Sequence, residues 1–117
     1  MYTNQLKGLE VELKPLNLAH INREFRAVAS ANSWQEYHNP KNLAAAVSVE
    51  AGELLAEFQW LTPDEATNLG AQKAENVADE MADIVMYLTE LSRQLNIDLS
   101  EALDRKIEKN KRRFTQS

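Results

Sequence analysis

Four carboxylates carry the clearest chemical signal in the chain. Glu50 and Glu53 are three positions apart, and after 26 further residues Glu80 and Asp83 repeat the spacing. On a helix, residues three apart share a face, so each pair would present its oxygens side by side. Glu57 and Trp60 extend the first stripe, and Tyr87 and Glu90 extend the second. Each member stands one residue before an apolar position: Ala51, Leu54, Phe58 and Leu61 on one helix, Met81, Ile84, Leu88 and Leu91 on the other. Both stripes therefore flank a buried seam, with no lysine or arginine partner expected within either helix. Like charges at this spacing cost about 0.2–0.5 kcal/mol per pair even when exposed, and more when partly buried. Convergence of the two stripes calls for a cation. An all-oxygen set, without histidine on either helix and without Glu-x-x-His, favours Mg²⁺ or Mn²⁺ over iron, zinc or copper. The competing reading is a solvated acidic face. It suits a lone Glu-x-x-Glu better than two matched pairs beside a seam.

The elements that must position these acids are readable from apolar periodicity. Leu18, Ile21, Phe25 and Val28 mark a first helix over about 17–31. A loop follows from Ser33 to Pro40, and a second helix is expected from about Leu43 to Leu61. Thr62-Pro63-Asp64-Glu65 has the residues of a capping box with proline at the first helical position, so a short helical turn should follow. A third long helix covers about 73–95, with Val77, Met81, Ile84, Leu88, Leu91 and Leu95 in register. A fourth covers about 99–114 on Leu99, Leu103, Ile107 and Phe114. Leu6, Leu9 and Leu13 have helical spacing over residues 4–13, but Gly8 and Pro15 interrupt it. The reading is an all-α four-helix bundle, with residues 17–114 as the domain and 1–16 as an unassigned N-terminal segment. Gly52 lies within the second helix, where it costs about 1 kcal/mol relative to alanine. A close approach to the backbone is expected there, by a neighbouring helix or a ligand.

Composition narrows the function classes. A chain of 117 residues suits one domain that buries a core without staples. With no cysteine, disulfides, zinc-thiolate sites and cysteine nucleophiles are excluded. Only 3 glycines and 3 prolines leave little material for hairpin turns. A net charge of −5 disfavours nucleic-acid binding. No apolar run approaches a membrane span, and the first residues lack the apolar stretch of a signal peptide, so a cytoplasmic protein is expected. The charge is segregated: residues 42–92 hold Lys73 against ten acids, whereas residues 99–117 hold six bases against three acids. An acidic middle and a basic end suit a site that takes cations at one side and anions at the other.

At this point the residues resemble a known family. Glu50-x-x-Glu53 followed by Glu80-x-x-Asp83 resembles the signature of the MazG-like, all-α nucleotide pyrophosphohydrolases. Trp34-x-x-x-His38-x-Pro40-Lys41-Asn42-Leu43 looks like the lead-in of the small dCTP-pyrophosphatase-type members. So do Glu53-Leu54-x-x-Glu57-Phe58-Gln59-Trp60, Asp83-Ile84-Val85-x-Tyr87-Leu88 and Lys106-x-x-x-Asn110-Lys111-Arg112-Arg113-Phe114. The similarity runs over about 17–114, and five blocks in order are far more specific than the acid pairs alone.

The resemblance implies Mg²⁺-dependent hydrolysis of a nucleoside triphosphate to the monophosphate and pyrophosphate, with Mn²⁺ as a possible substitute and dCTP or related deoxynucleotides preferred. Carried over by position, Glu50, Glu53, Glu80 and Asp83 would hold the metal, and Glu53 or Glu50 would take the proton of the attacking water. Lys106, Asn110 and Arg113, at i, i+4 and i+7, would face the phosphates; alone they also fit a solvated run at a helix C-terminus. Trp34, His38, Trp60 and Tyr87 would surround the base, some of them across a subunit interface. His20 is expected to have no role. The family implies a homo-oligomer, a dimer or, by preference, a tetramer built from dimers. A relative acting on dUTP or phosphoribosyl-ATP remains open, as does a catalytically silent helical dimerisation or metal-binding module.

Overall fold

The computed structural model describes residues 11–115, and among these every regular element is helical. The elements are α1 (Leu18–Ala31), a 3-10 turn at Gln35–Tyr37, α2 (Pro40–Phe58), α3 (Pro63–Thr67), α4 (Ala71–Gln94) and α5 (Leu99–Thr115). The all-helical expectation holds. Of the N-terminal stretch with helical apolar spacing, residues 4–10 lie outside the described residues, and 11–13 are not helical.

The helix ends follow from their capping residues. The Asn17 side chain accepts the His20 backbone N–H and opens α1. Asn39 does the same for Asn42, with Pro40 at the first helical position. This starts α2 three residues before the apolar stripe begins, so the expected start at Leu43 was late. The helix also ends at Phe58, which leaves Trp60 and Leu61 beyond it. The capping box of α3 is complete: Glu65 N–H donates to Thr62 Oγ1, and Thr62 N–H donates to Glu65 Oε1. Two helices stop at a residue with positive φ, Ser33 after α1 and Asn96 after α4, both at 56°. After α1 the Trp34 N–H reaches back to the Ala29 carbonyl and the Ser33 N–H to that of Ser30. This is the Schellman arrangement, and it turns the chain sharply at Trp34.

The long helices α2 and α4 form the principal contact, and α1 lies against α4. Helix α5 makes no more than marginal contact with any other helix. Few apolar side chains are fully enclosed: Leu43 at 0% and Ala29 at 2% exposure are the buried hydrophobic residues among those described. Val49, Leu55 and Met81 on the long pair, and Leu103, Ile107 and Phe114 on α5, remain exposed. The radius of gyration is 17.0 Å, against about 13 Å for a compact chain of this length. Nothing lies within 4 Å of a Cβ built on Gly52, so the close approach expected at its backbone does not occur within one protomer.

Candidate active site

The α2–α4 contact brings the two acid pairs together, but not symmetrically. Glu50, Glu80 and Asp83 each offer a carboxylate oxygen within 4.8 Å of the others. Glu53 is outside that trio and exposed, one helical turn along α2. Glu50 and Glu80 do not merely flank the seam. They turn into it, half-buried, and Glu50 Oε2 and Glu80 Oε2 are both enclosed without a hydrogen-bond partner. Two acceptors face each other there, and carboxylates have nothing to donate unless one is protonated. The Glu50 carboxyl is accordingly pushed up to about 7, first by the Glu80 carboxyl set against it, then by burial and by the charges of Glu53, Asp83 and Glu80. Each unpaired buried acceptor costs roughly 1–3 kcal/mol. All ligands are hard oxygens, so the site fits a divalent cation of the Mg²⁺ type.

The rest of the acid stripes disperses. Glu57 pairs with Lys73 at 3.5 Å, across from α2 to α4. Glu90 leaves the stripe entirely and pairs with Arg93, whose Nη2 lies 2.7 Å from its Oε2. The expectation that neither helix holds a basic partner for its own acids is therefore wrong for α4. Arg93 stands three residues on from Glu90, just past the acid-rich stretch.

Beside Asp83 opens a groove of about 500 Å³, walled by Ile21, Phe25, Val28, Trp34, Met86 and Tyr87. Of the four aromatic candidates, Trp34 and Tyr87 line it. His38 stands behind the wall, with its ring stacked on Phe25 at 5.5 Å and edge-on to Tyr87 at 6.4 Å. Phe25 and Tyr87 meet edge to face at 5.4 Å. The Tyr87 hydroxyl has its pKa raised by burial and by the charges of Glu50, Asp83 and Glu53, which ties it electrostatically to the acid trio. Trp60 is 86% exposed in the turn after α2. Lys106, Asn110 and Arg113 are exposed along α5. The marginal packing of α5 does not bring them against α2 within the protomer.

Ile21, Phe25 and Val28, whose spacing marks the first helix, form part of the groove wall, and His20, expected to have no role, lines it with Glu24. Asn22, Glu90 and Gln94 were not singled out as a group. A polar residue between apolar positions of α1 was their one local sign.

A carboxylate trio between two long helices, with an aromatic groove next to it, could hold a cation beside a flat apolar ligand. The chain belongs to the MazG-like family, whose model matches residues 45–116. It is 34% identical to human dCTP pyrophosphatase 1 over 99 residues, which is 83% of this chain and 58% of that protein. The Bos taurus protein of the same name is 33% identical over 99 residues, 83% of this chain and 59% of that protein. The chain thus spans under three fifths of the length of these relatives. A solved pyrophosphatase from Archaeoglobus fulgidus superposes with a TM-score of 0.77 at 32% identity, covering 92% of this chain and all of that one.

Proposed function

We propose that this chain hydrolyses nucleoside triphosphates, dCTP or related deoxynucleotides by preference, to the monophosphate and pyrophosphate, as a house-cleaning enzyme of the nucleotide pool. The observation that carries this reading is the pair of unpartnered carboxylate oxygens, on Glu50 and Glu80, clustered with Asp83, which itself lines an aromatic groove. The names of the relatives support pyrophosphate release and the cytosine deoxynucleotide. Glu50, Glu80 and Asp83 would hold Mg²⁺, or Mn²⁺ in its place, with Glu53 one turn away. The ion would neutralise triphosphate oxygens and lower the pKa of the attacking water. Trp34 and Tyr87 offer the base flat surfaces to stack on, with Phe25 beside them in the wall. Proton removal from water falls to Glu53 or Glu50. Near-normal turnover of Glu53→Gln at saturating Mg²⁺ would rule Glu53 out.

The protomer leaves its apolar faces on α2, α4 and α5 open, so we also propose a homo-oligomer, a dimer or, preferentially, a tetramer built from dimers. Such assembly would cover Val49, Leu55 and Met81. It would also bring Lys106, Asn110 and Arg113 of one copy against the acidic face of another, with Trp60 completing the base site. Elution as a monomer of 13.3 kDa with light scattering would overturn this.

The deciding experiment supplies each canonical dNTP and NTP with Mg²⁺ and separates products by anion exchange. Monophosphate plus pyrophosphate, lost in Glu50→Ala or Asp83→Ala, is expected. Diphosphate plus orthophosphate would overturn attack at the α-phosphorus. Absence of turnover in folded protein would favour a silent helical module.

A further inference from the structure

Among the described residues, the most enclosed polar cluster lies outside the acid trio. Glu90, 4% exposed, accepts from Asn22 Nδ2 at 3.0 Å and Arg93 Nε at 2.9 Å on Oε1. On Oε2 it accepts from Arg93 Nη2 at 2.7 Å and Gln94 Nε2 at 2.9 Å. The same Gln94 nitrogen donates its second hydrogen to the backbone carbonyl of His38 at 2.6 Å, across 56 residues of sequence. Glu90 thus fixes the orientation of the Gln94 amide, and the amide fixes the segment between α1 and α2. That segment is anchored at its start by Trp34 N–H on Ala29 and near its end by Asn42 Nδ2 on Tyr37. Gln94 holds it to α4. The His38 ring, carried on the tethered residue, backs Phe25 and Tyr87, which wall the groove together with Trp34.

We propose that Gln94, oriented by Glu90, is a positioning residue for the nucleoside end of the groove: it sets the placement of Trp34 and of the His38–Phe25–Tyr87 wall without touching substrate. The assignment rests on the nucleotide reading of the groove. Gln94→Met keeps the length of the side chain and removes the donor. With dCTP as probe, KM should rise about tenfold, equivalent to about 1.4 kcal/mol, while kcat stays within about twofold. Inhibition by magnesium pyrophosphate, which has no base, should be unchanged. In the ligand-free protein, the Tyr37 and His38 amides, bonded to the Trp34 and Gln35 carbonyls, should exchange faster, with α2 and α4 protected as before.

An unchanged KM overturns the proposal, whether or not exchange accelerates. So does a parallel loss of pyrophosphate inhibition or of protection in α2 and α4, which would show a general disturbance. Failure of the nucleotide reading is distinguishable, because the unaltered protein would then hydrolyse no nucleoside triphosphate.

Discussion

Two carboxylate clusters sit on the same helix and have opposite electrostatic fates. At the middle of α4, Glu80 and Asp83 meet Glu50 of α2, and the Glu50 carboxyl is pushed up to about 7. Two turns further on, burial alone would raise Glu90 too, but the hydrogen bonds of Arg93, Asn22 and Gln94 and the Arg93 charge hold it down at about 2. Burial is greater at Glu90 than at Glu50, so burial does not decide the outcome. The partners do. Glu90 is surrounded by donors and its lone pairs are used, which makes it a finished structural joint. Glu50 and Glu80 are surrounded by acceptors, which leaves the cluster short of positive charge and suited to an ion.

The largest effect that would test this contrast is on turnover. Removing a proposed ligand in Asp83→Ala should lower kcat/KM by about a thousandfold, from the several kcal/mol that a metal ion would contribute to transition-state stabilisation. Thermal stability should change little. Comparable turnover in Asp83→Ala would make the trio an acidic face and nothing more. Next, Mg²⁺ itself should stabilise the fold. At a hundred times its dissociation constant the gain is about 2.7 kcal/mol, visible as a rise in Tm that Glu80→Gln largely abolishes. If Mg²⁺ left Tm unchanged, the shortage of charge at Glu50 and Glu80 would have to be met by protonation alone.

The joint should behave in the opposite way. Glu90→Gln is expected to lose stability, on the order of 2 kcal/mol at neutral pH once the half-exposed Arg93 is allowed for. Its folded pKa lies below the ordinary value of 4.5, so the folded state favours the ionised form. The contribution is complete above about pH 4.5 and is lost as the pH falls toward 2. Unfolding free energies measured across that window should therefore fall more steeply for the unaltered protein than for Glu90→Gln. Parallel curves would show that Glu90 titrates at its ordinary value in the folded protein, so that the joint does not favour its ionised form.

The helices were legible because each repeats its apolar residues at a helical period, and the caps at Asn39 and Thr62 are local in sequence. The placing of both acid pairs on faces that converge was legible for the same reason. Which carboxylates enter the seam was not. One residue turns a helix by about 100°, so the rotation that admits Glu50 and Glu80 while sending Glu53 outward depends on the partner helix. Asn22 finds Thr89 and Glu90 at separations of 67 and 68 residues, with nothing local to announce it. The apolar stripe of α5 was equally plain in sequence, yet periodicity does not say what covers Leu103 and Ile107.

Glu57 supplies the intermediate case and the smallest effect. It belongs to the same stripe as Glu50, but Lys73 reaches it at 3.5 Å, with the lysine side chain 41% exposed. A donor is present, as at Glu90, but in contact with solvent. Pairs of this kind contribute about 0.2–1 kcal/mol, and salt screens them over a Debye length of about 3 Å at 1 M. Lys73→Ala should therefore cost about 0.5 kcal/mol at low ionic strength and almost nothing at 1 M salt, whereas the Glu90→Gln penalty should persist in both. A Lys73 effect as large and salt-resistant as that of Glu90 would mean that the presence of a donor, and not its enclosure, sets the worth of a carboxylate in this fold.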